Sequence, residues 1–292
     1  MPMEFLPGNA EAFELSENWK YYFDTRHEGL GTTYERFVLH THFRRIRKTY
    51  GIETVLETPI FGMTGVSGIN SVWWGRQGAQ VTLMDHNRER LAYIERLWND
   101  LSLEARFFYD PGTYVSLPFA DQEFEMSWNF AALDARIKAD VFLEELARVT
   151  EKIIFLCLHN PFNLFGLIRK GIQKGMGPHH VGSLSEVAIE NAMAKTGWQL
   201  GDTGFFDVPP WPDIAMTKED FLRKIGLQSI ARRLDQNIKP ENRISILDYY
   251  GGKNRRLKKR MMRYAFLENG PLPFQRFWAH HRYVVFTPRY PL

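Results

Sequence analysis

Glu57, the glycines at 62, 65 and 68, and Asp85 are the residues of this 292-residue chain whose types and spacing point most directly to chemistry. Two short apolar segments, Thr54-Val55-Leu56 and Gln80-Val81-Thr82-Leu83-Met84, each run directly into one of the acids. Between them lie the glycines and a segment of helical spacing. In an open parallel sheet a ligand binds beyond the carboxyl ends of the strands. Glycine lets backbone approach that ligand closely, and a helix N-terminus supplies free amides. An acid ending the second strand is placed to accept hydrogen bonds from two ribose hydroxyls. The pattern therefore fits an adenosine-containing ligand, although the G-x-G-x-x-G run of dinucleotide sites is absent.

Those residues need a frame, and the rest of the chain supplies one. Gly31 to Tyr50 has helical spacing and stops at Gly51. Val66 to Gln77 reads as a second helix, closed by Gly78. Asn87 could cap a third, with Leu91, Ile94, Leu97, Trp98 and Leu101 as its apolar stripe. Arg106 to Tyr109 and Glu125 to Phe130 read as strands, Val141 to Val149 as a helix, and Lys152 to Leu158 as the most apolar strand. Ser185 to Thr196 reads as a helix, Trp198 to Val208 as a strand and Tyr283 to Thr287 as the last strand. Alternation of this kind predicts a Rossmann-like α/β core with a seven-stranded, mostly parallel sheet and helices on both faces.

Composition sets outer bounds. Apolar residues make up 44% and charged residues 24%, which describes an ordinary globular chain. No apolar run approaches the roughly 18 residues of a membrane-spanning helix, and residues 1–10 do not read as a secretory signal. The single cysteine, Cys157, lies inside an apolar strand and reads as a buried, inert thiol, which excludes disulfides and points to the cytoplasm. The formal net charge of +3 is too small to imply nucleic acid. Lys253, Arg255, Arg256, Lys258, Lys259, Arg260 and Arg263 nonetheless form a basic run without an acid.

Further motifs accompany the two acids: Leu117-Pro118-Phe119 with Asp121 and Phe124; Trp128-Asn129-Phe130-Ala131-Ala132-Leu133; and Leu143 to Val149 leading into Ile153 to Leu158. With these, the sequence resembles the class I S-adenosylmethionine-dependent methyltransferases, especially those with small-molecule acceptors, over roughly 51–160. The resemblance implies S-adenosyl-L-methionine as cofactor and methyl transfer to a small molecule. It implies that Glu57, Gly62, Thr64 and Gly65 hold the methionine part, with Tyr34 near its carboxylate. Asp85 would hold the ribose, His86 and Asp110 would lie by the adenine, and Asn129 and Phe130 would face the methyl group. One departure stands out: Pro59, Phe61 and Met63 occupy positions where the family carries glycines, and proline has neither a free φ nor an N–H.

Methyl transfer needs alignment more than a fixed base, so no catalytic residue is assigned. His159, with His179 and His281, is expected to line the acceptor pocket. The histidine pairs bring no cysteine or acid cluster of ligand spacing, so no metal is expected. The expected organisation is an N-terminal helical segment (1–50), the core (51–208), a mostly helical insertion over the acceptor (209–275) and a final core strand (276–292). Two other functions compete: an RNA methyltransferase using the basic run 253–263, and a non-catalytic binding protein on the same fold. Oligomeric state is not readable.

Overall fold

The computed structural model describes residues 19–25, 28–60, 65–111, 114–133, 138–164, 186–208 and 245–289. The chain opens with α1 (Trp19–Thr25) and α2 (Gly29–Tyr50), then β1 (Thr54–Glu57), α3 (Val72–Arg76), β2 (Gln80–Asp85), α4 (Arg88–Asp100) and β3 (Arg106–Tyr109). After these come β4 (Phe124–Phe130), α5 (Ala139–Val149), β5 (Thr150–His159), α6 (Glu186–Lys195) and β6 (Trp198–Phe206). Short helices α7 (Ile246–Tyr250) and α8 (Leu257–Met261), a 3₁₀ segment (Met262–Asn269) and α9 (Leu272–Trp278) precede β7 (His281–Pro288).

The strands form one seven-stranded sheet in the order β3-β2-β1-β4-β5-β7-β6. Pairings from β3 through β5 are parallel, and β7 runs antiparallel to both β5 and β6. This is the seven-stranded, mostly parallel α/β sheet that the alternating pattern predicts. Side chains alternate between faces, so successive strand residues enter different cores. Val55, Leu83, Trp128, Phe155 and Tyr283 join α2, α4, α7 and α8 on one face. Leu56, Met84, Leu156 and Val284 join α5 and α6 on the other. Strands buried on both faces carry near-continuous apolar runs, which is why Ile153 to Leu158 is so hydrophobic. Cys157 lies within it, fully buried, and burial raises its thiol pKa well above the usual value.

The structure corrects two boundaries. The helix expected from Val66 begins only at Val72. Gly65 and Gly68 have φ of +95° and +70°, left-handed values that no right-handed helix accommodates, so 65–71 is a turn. The last strand, read as Tyr283 to Thr287, runs over His281–Pro288, and Leu272–Trp278 ahead of it is helical. Residues 209–244, most of the expected insertion with its Pro209-Pro210-Trp211-Pro212, lie outside the described residues. The described part of that region, from 245, consists of the short helices above.

Candidate functional site

In this sheet the order reverses between β1 and β4, and a crevice at such a switch point is the usual place for a ligand. Glu57 ends β1 beside Trp128 of β4. It is fully buried, and its Oε2 accepts a 2.6 Å hydrogen bond from the Ser71 hydroxyl. Ser71 Oγ in turn accepts from Trp128 Nε1 at 3.1 Å. Burial pushes the Glu57 carboxyl up to about 7, against the Ser71 hydrogen bond and the Arg36 charge, which favour ionisation.

Next to Glu57 is a set of unsatisfied groups. Thr58 Oγ1 and both side-chain polar atoms of Asn129 are buried and find no hydrogen-bond partner among the described residues. Thr58 follows β1 and donates its backbone N–H to Trp128, the residue before Asn129. Orphaned buried polar groups cost free energy, and native proteins rarely keep them without a reason. Three such atoms at the switch point suit a polar ligand.

The glycine turn is packed from the N-terminal side, which sequence spacing could not reveal. Arg36 of α2 bonds Glu28 through Nε at 2.9 Å and reaches the Val66 carbonyl at 2.8 Å and the Asn70 side chain. Glu28 Oε1 accepts from the Val66 N–H at 2.8 Å. A Cβ on Gly65 would stand 2.8 Å from that same carboxylate oxygen, so glycine is required here for space as well as conformation. Gly62 and Thr64 lie outside the described residues.

Asp85 ends β2 as expected, but its partner was not foreseen. Arg90 of α4 grips it with two bonds of 2.6 Å, Nε to Oδ2 and Nη2 to Oδ1, and both side chains are fully buried. Asp85 Oδ1 also accepts from the Asn87 N–H at 3.1 Å, so the carboxylate is already held by its own chain. Spacing carried a usable signal, since Arg90 follows Asp85 by five residues and falls in the first turn of α4. Asn87 caps that helix, accepting from the Arg90 N–H at 2.9 Å. His86 Nδ1 lies 3.2 Å from the Tyr114 hydroxyl, and Asp110 Oδ1 accepts from the Tyr114 N–H at 3.2 Å. His86 and Asp110 therefore share one polar corner beyond β2 and β3.

A second polar group occupies the same sheet edge beyond β5, β6 and β7. Register places His159, Phe206 and His281 side by side. The His281 ring lies 4.8 Å from Phe130, 5.6 Å from Phe206 and 5.2 Å from His159, so Phe130 and two of the expected acceptor histidines do meet. His179 lies outside the described residues. Sequence reasoning missed the acids that join them. His281 Nε2 is 2.9 Å from Glu35 of α2, and His280 Nδ1 is 2.8 Å from Asp207. Tyr34, expected near the donor carboxylate, donates instead to Glu268 Oε1 at 2.7 Å, an acid 234 residues away.

No family model and no curated protein sequence matches the chain. Solved structures do resemble it. A protein from Galdieria sulphuraria, described as a candidate sarcosine dimethylglycine methyltransferase, is 12% identical with a TM-score of 0.49, covering 86% of this chain and 85% of that one. The magnesium protoporphyrin IX methyltransferase of Synechocystis PCC 6803, solved with S-adenosylhomocysteine, is 12% identical with a TM-score of 0.47, covering 59% and 77%. The YcgJ protein of Bacillus subtilis is 15% identical with a TM-score of 0.48, covering 86% and 98%. The likeness is one of fold.

Proposed function

We propose that this chain is an S-adenosylmethionine-dependent methyltransferase acting on a small molecule, with donor and acceptor meeting at the carboxyl ends of β1, β4 and β5. The observation that carries this reading is the orphaned polar set at the switch point. Thr58 Oγ1 and the Asn129 amide are buried without partners where an open α/β sheet binds its ligand. The donor fits that set. Asn129 and Thr58 would offer it hydrogen bonds, and Glu57 would lie beneath it. The sulfonium supplies the methyl group, so the protein's part is alignment and exclusion of water. Phe130 and the buried aromatic rings around it provide an apolar wall suited to that task.

Its test is calorimetric titration of the purified protein with S-adenosylmethionine and S-adenosylhomocysteine. Micromolar binding, weakened about tenfold or more by Asn129→Ala, is expected from the loss of hydrogen bonds to a charged or polar ligand. A folded protein that binds neither compound would sink the proposal.

A second reading, a binding protein on the same fold that uses no donor, has its own observation. Asp85 is paired with Arg90 through both oxygens, and the Glu28 carboxylate already holds the Val66 N–H of the turn. The titration separates the two. The basic run favours no third reading. Leu257 and Met261 point inward from α8 while Lys259 and Arg260 face solvent, the ordinary pattern of a surface helix.

A further inference from the structure

The second polar group contains more chemistry than acceptor binding requires. One carboxylate oxygen each of Glu35 and Asp207 and one ring nitrogen of His281 all lie within 4.8 Å of one another. Their side chains are only 6%, 2% and 5% exposed. They arrive from α2, from the residue after β6 and from the first residue of β7, so each is anchored to a separate rigid element.

We propose that Glu35, Asp207 and His281 form a binding site for one divalent transition-metal cation, with His280 orienting Asp207. Metal–ligand bonds of about 2.0–2.2 Å separate neighbouring donor atoms by about 3 Å and opposite ones by about 4 Å, so small side-chain rotations suffice. Carboxylates gathered in a buried place repel one another, and a cation shared between them removes that cost. One imidazole nitrogen with two carboxylate oxygens suits Zn²⁺, Fe²⁺ or Mn²⁺. It suits Mg²⁺ and Ca²⁺ less well, since both prefer all-oxygen shells.

The surroundings match what such a site needs. Ligating carboxylates are usually fixed by an outer hydrogen bond. Here His280 Nδ1 lies 2.8 Å from Asp207 Oδ2, and the His280 N–H donates to the Asp207 carbonyl at 3.0 Å. Asn160 steadies the neighbouring backbone, donating its N–H to the His280 carbonyl at 2.9 Å. Phe130 and Phe206 screen the His281 ring from water. Without a metal, His281 Nε2 stands 2.9 Å from Glu35 Oε1, so the imidazole and this carboxylate are already adjacent. The site stands whether or not a methyl donor binds.

The experiment uses the full chain freed of any affinity tag and stripped with a chelator. It is offered Zn²⁺, Mn²⁺, anaerobic Fe²⁺ or Mg²⁺, desalted, and analysed for metal content and thermal midpoint. About one equivalent of a transition metal per chain and a raised midpoint are expected, with no rise from Mg²⁺. Asp207→Asn and Glu35→Gln should each weaken binding about tenfold or more, and His280→Ala by about 10–100-fold, with secondary structure checked by circular dichroism. The wild-type titration decides the matter even if a variant fails to fold. A folded wild-type protein that retains no ion and shows no shift overturns the proposal. Undiminished metal in the Glu35→Gln/His281→Gln double variant overturns it equally.

Discussion

The polar groups beyond β1 and β2 and those beyond β5, β6 and β7 share one edge of one sheet, yet they are organised on opposite principles. In the first region Asp85, Glu28 and Glu57 each have a close side-chain partner. Arg90 holds Asp85 with two bonds, Arg36 holds Glu28, and Ser71 caps Glu57. In the second, acids converge on neutral donors: Glu35 and Asp207 lie against the imidazoles of His281 and His280, and Glu268 accepts from the Tyr34 phenol. Guanidinium pairs are permanent charges in a fixed fork and act as struts. Imidazole–carboxylate contacts exchange protons and can exchange them for a cation. Two regions that look equally polar in sequence therefore differ in what they can bind.

The largest expected effect tests the strut. Arg90→Met leaves Asp85 buried without its cation and should destabilise the protein by about 3–5 kcal/mol, measured by chemical denaturation. The double variant Arg90→Met/Asp85→Leu should recover most of that loss. If the single variant is harmless, the pair is not structural and Asp85 is available to a ligand. For the same reason Asp85→Ala is a poor probe of donor binding, since it leaves Arg90 buried and unpaired.

Gly68→Ala comes next. Its φ is +70°, and a new Cβ would stand 2.8 Å from Ile94 on α4. Left-handed strain and overpacking together should cost about 2–4 kcal/mol. A thermal midpoint unchanged by the substitution would mean that the turn is not packed as described.

The third prediction concerns pH. Folding raises the Glu57 carboxyl from 4.5 to about 7, so the folded state binds its proton more tightly than the unfolded chain. Its contribution is full below about pH 4.5 and is lost as the pH rises through about 7. Glu57→Gln keeps an acceptor for Ser71 without the charge. It should therefore be more stable than the parent at pH 8, by on the order of 2–3 kcal/mol, and similar to it at pH 4. Equal stabilities at pH 8 would show that Glu57 is not buried in its charged form.

Smaller effects complete the series. Asn87→Ala removes the cap of α4 and should cost about 1 kcal/mol in thermal or chemical unfolding. Lys259→Ala with Arg260→Ala, both on the exposed face of α8, should change stability by no more than about 0.5 kcal/mol.

The sequence by itself determined the sheet. Apolar runs of strand length alternating with amphipathic helices, each punctuated by glycine or an acid, placed all seven strands within a few residues, because that periodicity is a local property. It also located Glu57, Asp85, Asn129 and Phe130 at strand ends, since an acid or amide closing an apolar run is visible in one dimension. It misplaced the start of α3, because left-handed backbone at Gly65 and Gly68 is not marked by residue type alone.

Only the tertiary structure decided what those strand-end groups touch. Arg36 reaches the glycine turn from a helix 30 residues earlier, and Glu268 meets Tyr34 across 234 residues. His280, His281, Asp207 and Glu35 converge because β7 is inserted antiparallel between β5 and β6 and brings its first residues to the carboxyl edge. Hydrophobic periodicity specifies which face of an element is buried. Which charged groups become neighbours depends on how those faces close on one another, and that is a property of the assembled sheet.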